Sequence, residues 1–191
     1  MSRNRTLLRK IWFFLWEDDS LLSWIANFII AIVLVKFIIY PGLGLLLGTS
    51  FPVVAVVSSS MEHNAGFDQW WQENRVWYEE KNIDENDFIK FKNGFDKGDM
   101  MVLLGKEPNE IKVGDVIVYS VSYSANPIIH RVVSIKADEK YFFETKGDNN
   151  LGQLPFEKEI AQEQLLGKAV LRVPLLGWVK VLFTDFVNLW R

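Results

Sequence analysis

The chain has 191 residues, of which 49% are hydrophobic, and it carries 24 acidic against 21 basic side chains, eight tryptophans and no cysteine. The lack of cysteine excludes disulfide bonds, cysteine-ligated metal sites and a thiol nucleophile. A net charge of −3 disfavours a nucleic-acid-binding protein, and the charged fraction of 24% excludes a disordered chain. The length predicts one domain with appendages.

The segment from Leu21 to Tyr40 predicts a transmembrane helix. Its twenty residues are about what a helix needs to cross the hydrocarbon core of a bilayer, and three polar residues interrupt them: Ser23, Asn27 and Lys36. We therefore predict a cytoplasmic basic N-terminus over 1–19 and an anchor over 20–40, because basic residues precede the anchor: Arg3, Arg5, Arg9 and Lys10. A cleavable signal peptide is the alternative, but apolar residues continue beyond Tyr40 without a small-residue cleavage site.

Residues 41–172 form the predicted exported domain, and its second half has the pattern of short strands. The segments 113–121, 127–135 and 140–146 are rich in β-branched and aromatic residues and are separated by turn-forming residues. Strands that follow one another without intervening helices favour antiparallel pairing. The predicted fold class is therefore mainly β, an antiparallel β domain with an N-terminal transmembrane helix.

Residues 64–96 are an acidic, tryptophan-rich insert ahead of these strands. Five aromatic residues are spaced as on one face of a helix and predict an amphipathic helix over 67–81: Phe67, Trp70, Trp71, Trp77 and Tyr78. This aromatic face can belong to the protein core or lie at the membrane interface, where tryptophan and tyrosine are favoured. The pattern leaves both interpretations open.

Residues 173–191 predict a C-terminal helix. Apolar residues dominate from Val173 to Trp190, but Lys180, Thr184 and Asn188 recur at a spacing of four. One face of such a helix is polar, which indicates an amphipathic helix associated with the membrane. A second span is the alternative.

Serine and histidine are the candidate catalytic residue types of the predicted exported domain. The chain has two histidines, and without cysteine or a metal-binding spacing they make no convincing ligand set, so we predict no metal and no cofactor. A serine hydroxyl needs a base to take its proton, and an imidazole that is neutral at pH 7, such as His130 on an apolar strand, can serve. A carboxylate would orient that imidazole. Asp148 is the natural candidate, with Asp99 and Asp115 as competitors.

Four sequence blocks follow one another along the chain. They are the segments 56–62 (VVSSSME), 97–100 (KGDM) with 113–119 (VGDVIVY), 129–133 (IHRVV) and 145–150 (TKGDNN). In this order, and over most of residues 20–180, they resemble the type I signal peptidases, in particular the branch found in archaea and the endoplasmic reticulum. Each block is weak alone, whereas the four together are specific.

The resemblance implies a membrane-bound serine protease that removes signal peptides from exported preproteins. It makes Ser60 the nucleophile and His130 the general base, at the position where the bacterial branch has a lysine, and it matches Asp148 to an acidic position of the last block. The Ser60 backbone N–H and the Ser58 hydroxyl would form an oxyanion hole, with Met61 in the same substrate-binding segment. Apolar strands near Ser60 and His130 would pair with the substrate as an added strand.

Three departures from the family pattern matter. Ser59 stands where glycine is usual and His63 where proline is usual, so His63 is an alternative base close to the nucleophile. The second aspartate that often follows the last block is missing, and the nearest acid is Glu157. The carboxylate that orients His130 is therefore Asp148 or Glu157, with Asp148 preferred.

The resemblance also implies partners and a location. We expect signal peptides of secretory preproteins and membrane lipid as partners, association with the translocation machinery, and no nucleic acid. The protein is expected in the cell membrane, single-pass, with the catalytic domain on the exterior or lumenal face and the nucleophile near the membrane surface. The alternative is a non-catalytic membrane-tethered β module that binds export substrates or a translocation partner; a serine hydrolase with a non-peptide substrate is a weaker one.

Overall fold

The structure is a computed structural model that describes residues 2–124 and 126–182. The chain divides into two compact units, Met1–Leu46 and Leu47–Arg191. The first unit is helical and contains α1, Ser2–Trp16, then α2, Leu21–Leu34, a π-helical turn, Val35–Ile39, and α3, Tyr40–Leu47, which continues into the second unit. Leu21–Leu47 form one run of 27 helical residues, apolar and long enough to cross a membrane. This run contains the predicted anchor and continues beyond Tyr40.

The second unit is built on a seven-stranded antiparallel sheet, which confirms the predicted mainly β fold. The strand order is β1-β2-β7-β3-β4-β5-β6, and every neighbouring pair is antiparallel. The strands are β1, Val53–Ala55; β2, Met100–Leu104; β3, Val116–Tyr119; β4, Ile128–Ala137; β5, Tyr141–Lys146; β6, Ile160–Ala161; and β7, Leu165–Val173. Short 3₁₀ turns connect them: Glu85–Asp87, Pro108–Glu110, Pro155–Glu157 and Gln162–Gln164.

Strand β3 lies between two hydrophobic clusters. Side chains alternate across a strand, so Val116 and Val118 join a cluster with Met61, whereas Ile117 and Tyr119 join another on the opposite face. All four residues of β3 are buried. Its neighbour β4, which carries His130, is held at full register from Val116↔Arg131 to Tyr119↔Ile128. The middle of the sheet is therefore a rigid support for the residues of β4.

The insert folds as α4, Phe67–Glu79, followed by an irregular segment, which confirms the predicted helix. Its aromatic face is packed into a third cluster against β4, so the core interpretation of this face is right and the membrane-interface interpretation is not needed. The cluster consists of six buried residues: Phe67, Trp70, Tyr78, Ile83, Phe88 and Val133.

The C-terminal prediction is corrected in part. Val173 is the last residue of β7, and a turn over 174–177 separates it from a helical segment that begins at Trp178. The prediction of helix was wrong for 173–177, since Val173 pairs with Met100 of β2 and residues 174–177 form a turn. Residues 178–182 are helical as predicted, and the rest of the predicted helix, 183–191, lies outside the described residues.

Candidate active site

Ser60 and His130 lie within hydrogen-bonding distance, although 70 residues separate them in sequence. Ser60 is in the loop after β1, and His130 projects from the buried part of β4. The Ser60 Oγ atom is 2.9 Å from His130 Nε2. A serine hydroxyl that donates to a neutral ring nitrogen has the geometry from which the base can remove its proton.

Glu157 contacts the other ring nitrogen of His130. Its Oε1 atom is 2.5 Å from His130 Nδ1, and the carboxylate is fully buried. Oε2 accepts a 2.6 Å hydrogen bond from the Leu154 N–H, and the Thr145 hydroxyl lies 3.5 Å from Oε1. The turn Pro155–Glu157 thus aims the carboxylate at His130, so that Nδ1 carries the proton and Nε2 is left to accept one from Ser60.

The predicted pairing of Asp148 with His130 is corrected, because Glu157 occupies that place. Asp148 was the preferred carboxylate to orient His130, with Glu157 as the alternative. Consecutive residues of a strand point to opposite faces, and Asp148 is at the face of Arg131, the residue next to His130. In the described part of the chain no hydrogen bond joins Asp148 to His130.

Asp148 is instead the centre of a buried polar cluster. The Arg131 Nε and Nη2 atoms donate to its carboxylate at 3.0 and 2.7 Å, His63 Nε2 lies 3.0 Å from Oδ2, and the Tyr78 hydroxyl is 3.4 Å from Oδ1. Burial alone would raise the pKa of Asp148, but the Arg131 guanidinium and the His63 hydrogen bond lower it to about 2. Burial and the Asp148 charge raise the pKa of Tyr78 well above its usual value.

Arg131 is fully buried and saturated with acceptors. Besides Asp148, its guanidinium donates to the carbonyls of Lys90, Phe91 and Gly114 at 3.1, 3.0 and 2.9 Å. A buried charge is tolerated only when it is paired and hydrogen-bonded in this way. Arg131 therefore ties β4 to both the insert and the loop before β3.

His63, the alternative base, belongs to this cluster and not to the Ser60 site. Its ring stacks on Trp70 with centroids 4.0 Å apart and an interplanar angle of 6°. Nε2 is engaged by Asp148, and Nδ1 is buried with no hydrogen-bond partner among the described residues. The position of His63 therefore favours His130 as the base.

Ser58 and Met61, the two other residues predicted for the substrate-binding segment, lie in different environments. The Ser58 hydroxyl is exposed and lies 3.1 Å from Ser60 Oγ. The Met61 side chain is fully buried in the cluster with Val116 and Val118, and its sulfur accepts the Asp148 N–H at 3.3 Å. The prediction that Met61 contributes to substrate binding is corrected for its side chain, because this side chain packs into the core behind the nucleophile.

The competing aspartates have structural partners. Asp99 accepts hydrogen bonds from the Asp96 and Leu175 N–H groups. Asp115 pairs with Lys168 at 2.6 Å. Among residues 2–124 and 126–182 no group of three or more His, Asp or Glu side chains is arranged to hold a metal ion.

Lys146 and Asn149 are site residues that sequence reasoning missed. Burial lowers the pKa of Lys146 to about 8, and its Nζ donates to the carbonyls of Gly147 and Asp148 at 3.1 and 3.3 Å. The Asn149 N–H donates to the Ser60 carbonyl at 2.8 Å. Both residues belong to the TKGDNN block, which was the available signal, but the pattern of the block does not indicate which carbonyl groups its members contact.

The fold and the Ser60–His130–Glu157 arrangement define a serine hydrolase on an antiparallel sheet, joined to an apolar helix. No protein-family model matches the chain. Its curated relatives include the "Signal peptidase complex catalytic subunit SEC11" of Scheffersomyces stipitis, 28% identical over 158 residues, which covers 79% of this chain and 76% of the relative. The protein of that name from Dictyostelium discoideum is 27% identical over 165 residues, 83% of this chain and 75% of the relative.

Another relative is more similar to this chain, but over a shorter alignment. The SEC11 subunit of Debaryomyces hansenii is 34% identical over 99 residues, 48% of this chain and 59% of the relative. Over most of its length the chain is therefore similar to proteins named as catalytic subunits of the signal peptidase complex.

Proposed function

We propose that this protein is a membrane-bound serine endopeptidase that removes signal peptides from exported preproteins, with Ser60 as the nucleophile, His130 as the general base and Glu157 as the residue that orients the base. One observation carries the proposal: the Ser60 Oγ, His130 and Glu157 groups are joined at 2.9 and 2.5 Å. A positioned base and a third group that orients it are what a serine nucleophile needs.

The chemical steps follow from these contacts. Ser60 Oγ attacks the scissile carbonyl while its proton passes to His130 Nε2, and the buried Glu157 carboxylate stabilises the imidazolium that forms. His130 then gives the proton to the leaving amine, which breaks the peptide bond and leaves an acyl-enzyme on Ser60. A water molecule, deprotonated by His130, hydrolyses the ester and restores the serine.

The oxyanion of each tetrahedral intermediate needs hydrogen-bond donors. Since the Ser60 hydroxyl donates its proton to His130, the Ser58 hydroxyl is the donor in the 3.1 Å contact between the two oxygens. Once Ser60 Oγ is bonded to the substrate carbon, the Ser58 hydroxyl can turn to the adjacent oxyanion. We assign it to the hole together with the Ser60 backbone N–H; such donors contribute about 3 kcal/mol each.

The apolar helix supports a membrane location. Leu21–Leu47 are long and apolar enough to span a bilayer, and the basic residues before them favour an exterior or lumenal location for the rest of the chain. A signal peptide is held in the same membrane, so that anchoring confines enzyme and substrate to one layer and raises their effective concentration. Membrane lipid and the translocation machinery are the further partners that we propose.

The test is preprotein cleavage by the full chain in detergent micelles. Wild type should release a product cut after the signal peptide, while Ser60→Ala and His130→Ala should reduce kcat by at least about 10³-fold. Glu139→Gln, at an exposed residue between β4 and β5, is the control for handling in detergent. Wild type that binds the preprotein without cutting it would support the non-catalytic β module, and undiminished cleavage by Ser60→Ala would refute the mechanism.

A further inference from the structure

We infer that the insert 64–96 is a positioning element for the nucleophile and that Trp70 is its principal positioning residue. This inference deepens the proposed function and rests on it. The insert begins at Asn64, four residues after Ser60, and contains the helix α4. Its contacts lead by a short path through the turn 147–149 to the peptide groups of Ser59 and Ser60.

Both ends of the insert lie beside the nucleophile. Gly94 forms an antiparallel bridge with Glu62, and the Phe95 N–H donates to the Met61 carbonyl at 3.0 Å. The Lys97 N–H donates to the Glu62 carboxylate at 3.1 Å. The chain thus leaves the segment after Ser60, forms the insert and returns to the same segment.

Trp70 connects the insert to the turn after β5. Its indole N–H donates to the Asp148 carbonyl at 3.0 Å, and the contact is buried. The same ring stacks on His63, which holds the Asp148 carboxylate. Trp70 therefore fixes the main chain of Asp148 directly and its side chain through His63.

The turn holds the nucleophile in its place. The Asn149 N–H donates to the Ser60 carbonyl at 2.8 Å, and the Asn149 side-chain amide donates to the Ser59 carbonyl at 3.0 Å. These two hydrogen bonds fix the peptide planes on both sides of Ser60. They thereby set the direction of Oγ toward His130 and the direction of the Ser60 N–H that we assign to the oxyanion hole.

A rigid support of this kind affects the rate more than substrate binding. A displacement of about 1 Å between reacting groups can reduce the rate on the order of 10²-fold. Trp70 is more than a core residue, because its indole N–H donates a hydrogen bond to the turn that holds Ser60. Trp71 provides the comparison, since it packs in the same aromatic cluster against Phe67 and Phe88 and makes no such contact in the described part of the chain.

The experiment compares Trp70→Phe with Trp71→Phe in the full chain, measuring kcat, KM and the midpoint of thermal unfolding. Both variants lose an indole from the same cluster, in which Trp70 is buried and Trp71 is partly buried, so a merely structural role predicts a difference in the unfolding midpoint but similar kcat and KM for the folded enzymes. Positioning predicts that kcat of Trp70→Phe is about tenfold below that of Trp71→Phe, with KM unchanged.

Asn149→Ala keeps the inference testable if Trp70→Phe does not fold. Asn149 is exposed, so its truncation should leave the unfolding midpoint near that of wild type while kcat falls severalfold. The inference would be overturned if Trp70→Phe and Trp71→Phe had equal kcat. If Trp70→Phe is unfolded, an unchanged kcat in Asn149→Ala would overturn it. A wild type that cleaves no preprotein contradicts the proposed function instead, so the two failures are distinct.

Discussion

His130 and Arg131 are neighbours on β4, and their side chains bind different carboxylates on opposite sides of the strand: His130 contacts Glu157, and Arg131 contacts Asp148. Glu157 is aligned with Ser60 through His130, while Asp148 neutralises the buried guanidinium of Arg131. The division of labour between the two acids follows from the alternation of side chains along a strand.

The first prediction concerns Glu157. In Glu157→Gln the group beside His130 Nδ1 is uncharged, so the imidazolium loses its stabilisation and the ring can adopt the wrong tautomer. We expect kcat to fall by about 10³–10⁴-fold with little change in KM, as measured by preprotein cleavage. Glu159→Gln, two residues away, is the control. A folded Glu157→Gln enzyme with wild-type kcat would contradict the assignment.

The second prediction concerns the pH dependence of the rate. His130 must be neutral to accept the Ser60 proton, so kcat/KM should fall as the pH is lowered from about 8 to about 5. The profile is measured at subsaturating substrate with a constant detergent and ionic strength. A flat profile over this range would argue against a histidine base.

The third prediction concerns stability in acid. The pKa of Asp148 is about 2 in the folded protein against a usual 3.8, so the unfolded chain binds a proton first as the pH falls. The stabilisation, on the order of 2 kcal/mol, is therefore present above about pH 4 and is lost between about pH 4 and pH 2. Urea unfolding followed by tryptophan fluorescence at several pH values measures the loss.

Asp148→Asn should lack this part of the acid dependence. It should also be less stable at pH 7 by about 3–5 kcal/mol, because the buried Arg131 charge is left without its partner. The exposed Glu163, which pairs with Lys140 on the surface, supplies the control Glu163→Gln. Identical pH dependence in wild type and Asp148→Asn would show that another group controls acid unfolding.

The fourth prediction concerns Lys146. Burial lowers the pKa of this lysine to about 8 in the folded protein, from a usual 10.5. Between those two values the unfolded chain binds more protons than the folded one, so the contribution of Lys146 to stability rises with pH. Urea unfolding at about pH 7.5 and pH 10 should show this rise in wild type relative to Lys146→Met. The surface variant Lys140→Met should behave as wild type, and a rise that persists in Lys146→Met would refute the assignment.

The fifth prediction concerns Gly147. A Cβ atom at this residue would lie 2.9 Å from both His130 Nε2 and the Ser60 carbonyl, and 2.6 Å from the Asn150 amide. Gly147→Ala must therefore displace the Ser60–His130 pair, and we expect kcat to fall by about 10-fold or more. Gly152→Ala is a matched control in the same loop, since a Cβ there meets no atom within 4 Å. Equal kcat in the two variants would contradict the close approach.

Much of the fold was predictable because its signals are local. Strands β3, β4 and β5 are runs of β-branched and aromatic residues between turn formers, and α4 has an aromatic stripe. Strands β1, β2, β6 and β7 escaped prediction. β1 and β6 have three and two residues, too short for a period-two pattern, and the pairing of β2 with β7 joins residues far apart in sequence.

The candidate site was predictable to the level of the Ser60–His130 pair. The choice between Asp148 and Glu157 was not, because it depends on which face of β4 each neighbouring turn reaches. The aromatic face of α4 was likewise undecided, because its charged partners Lys146 and Asp148 come from the end of β5 and the turn after it. Local pattern cannot indicate which charged groups will cover an apolar helix face.

The bridge between Glu62 and Gly94 has a consequence for the dynamics of the second unit. A loop whose two ends are joined to each other can change its internal conformation without altering the register of the strands outside it. Trp70 of α4 is connected to the peptide that carries Ser60 through the turn 147–149, so the motion of this one helix and the lifetime of the reactive serine geometry are coupled.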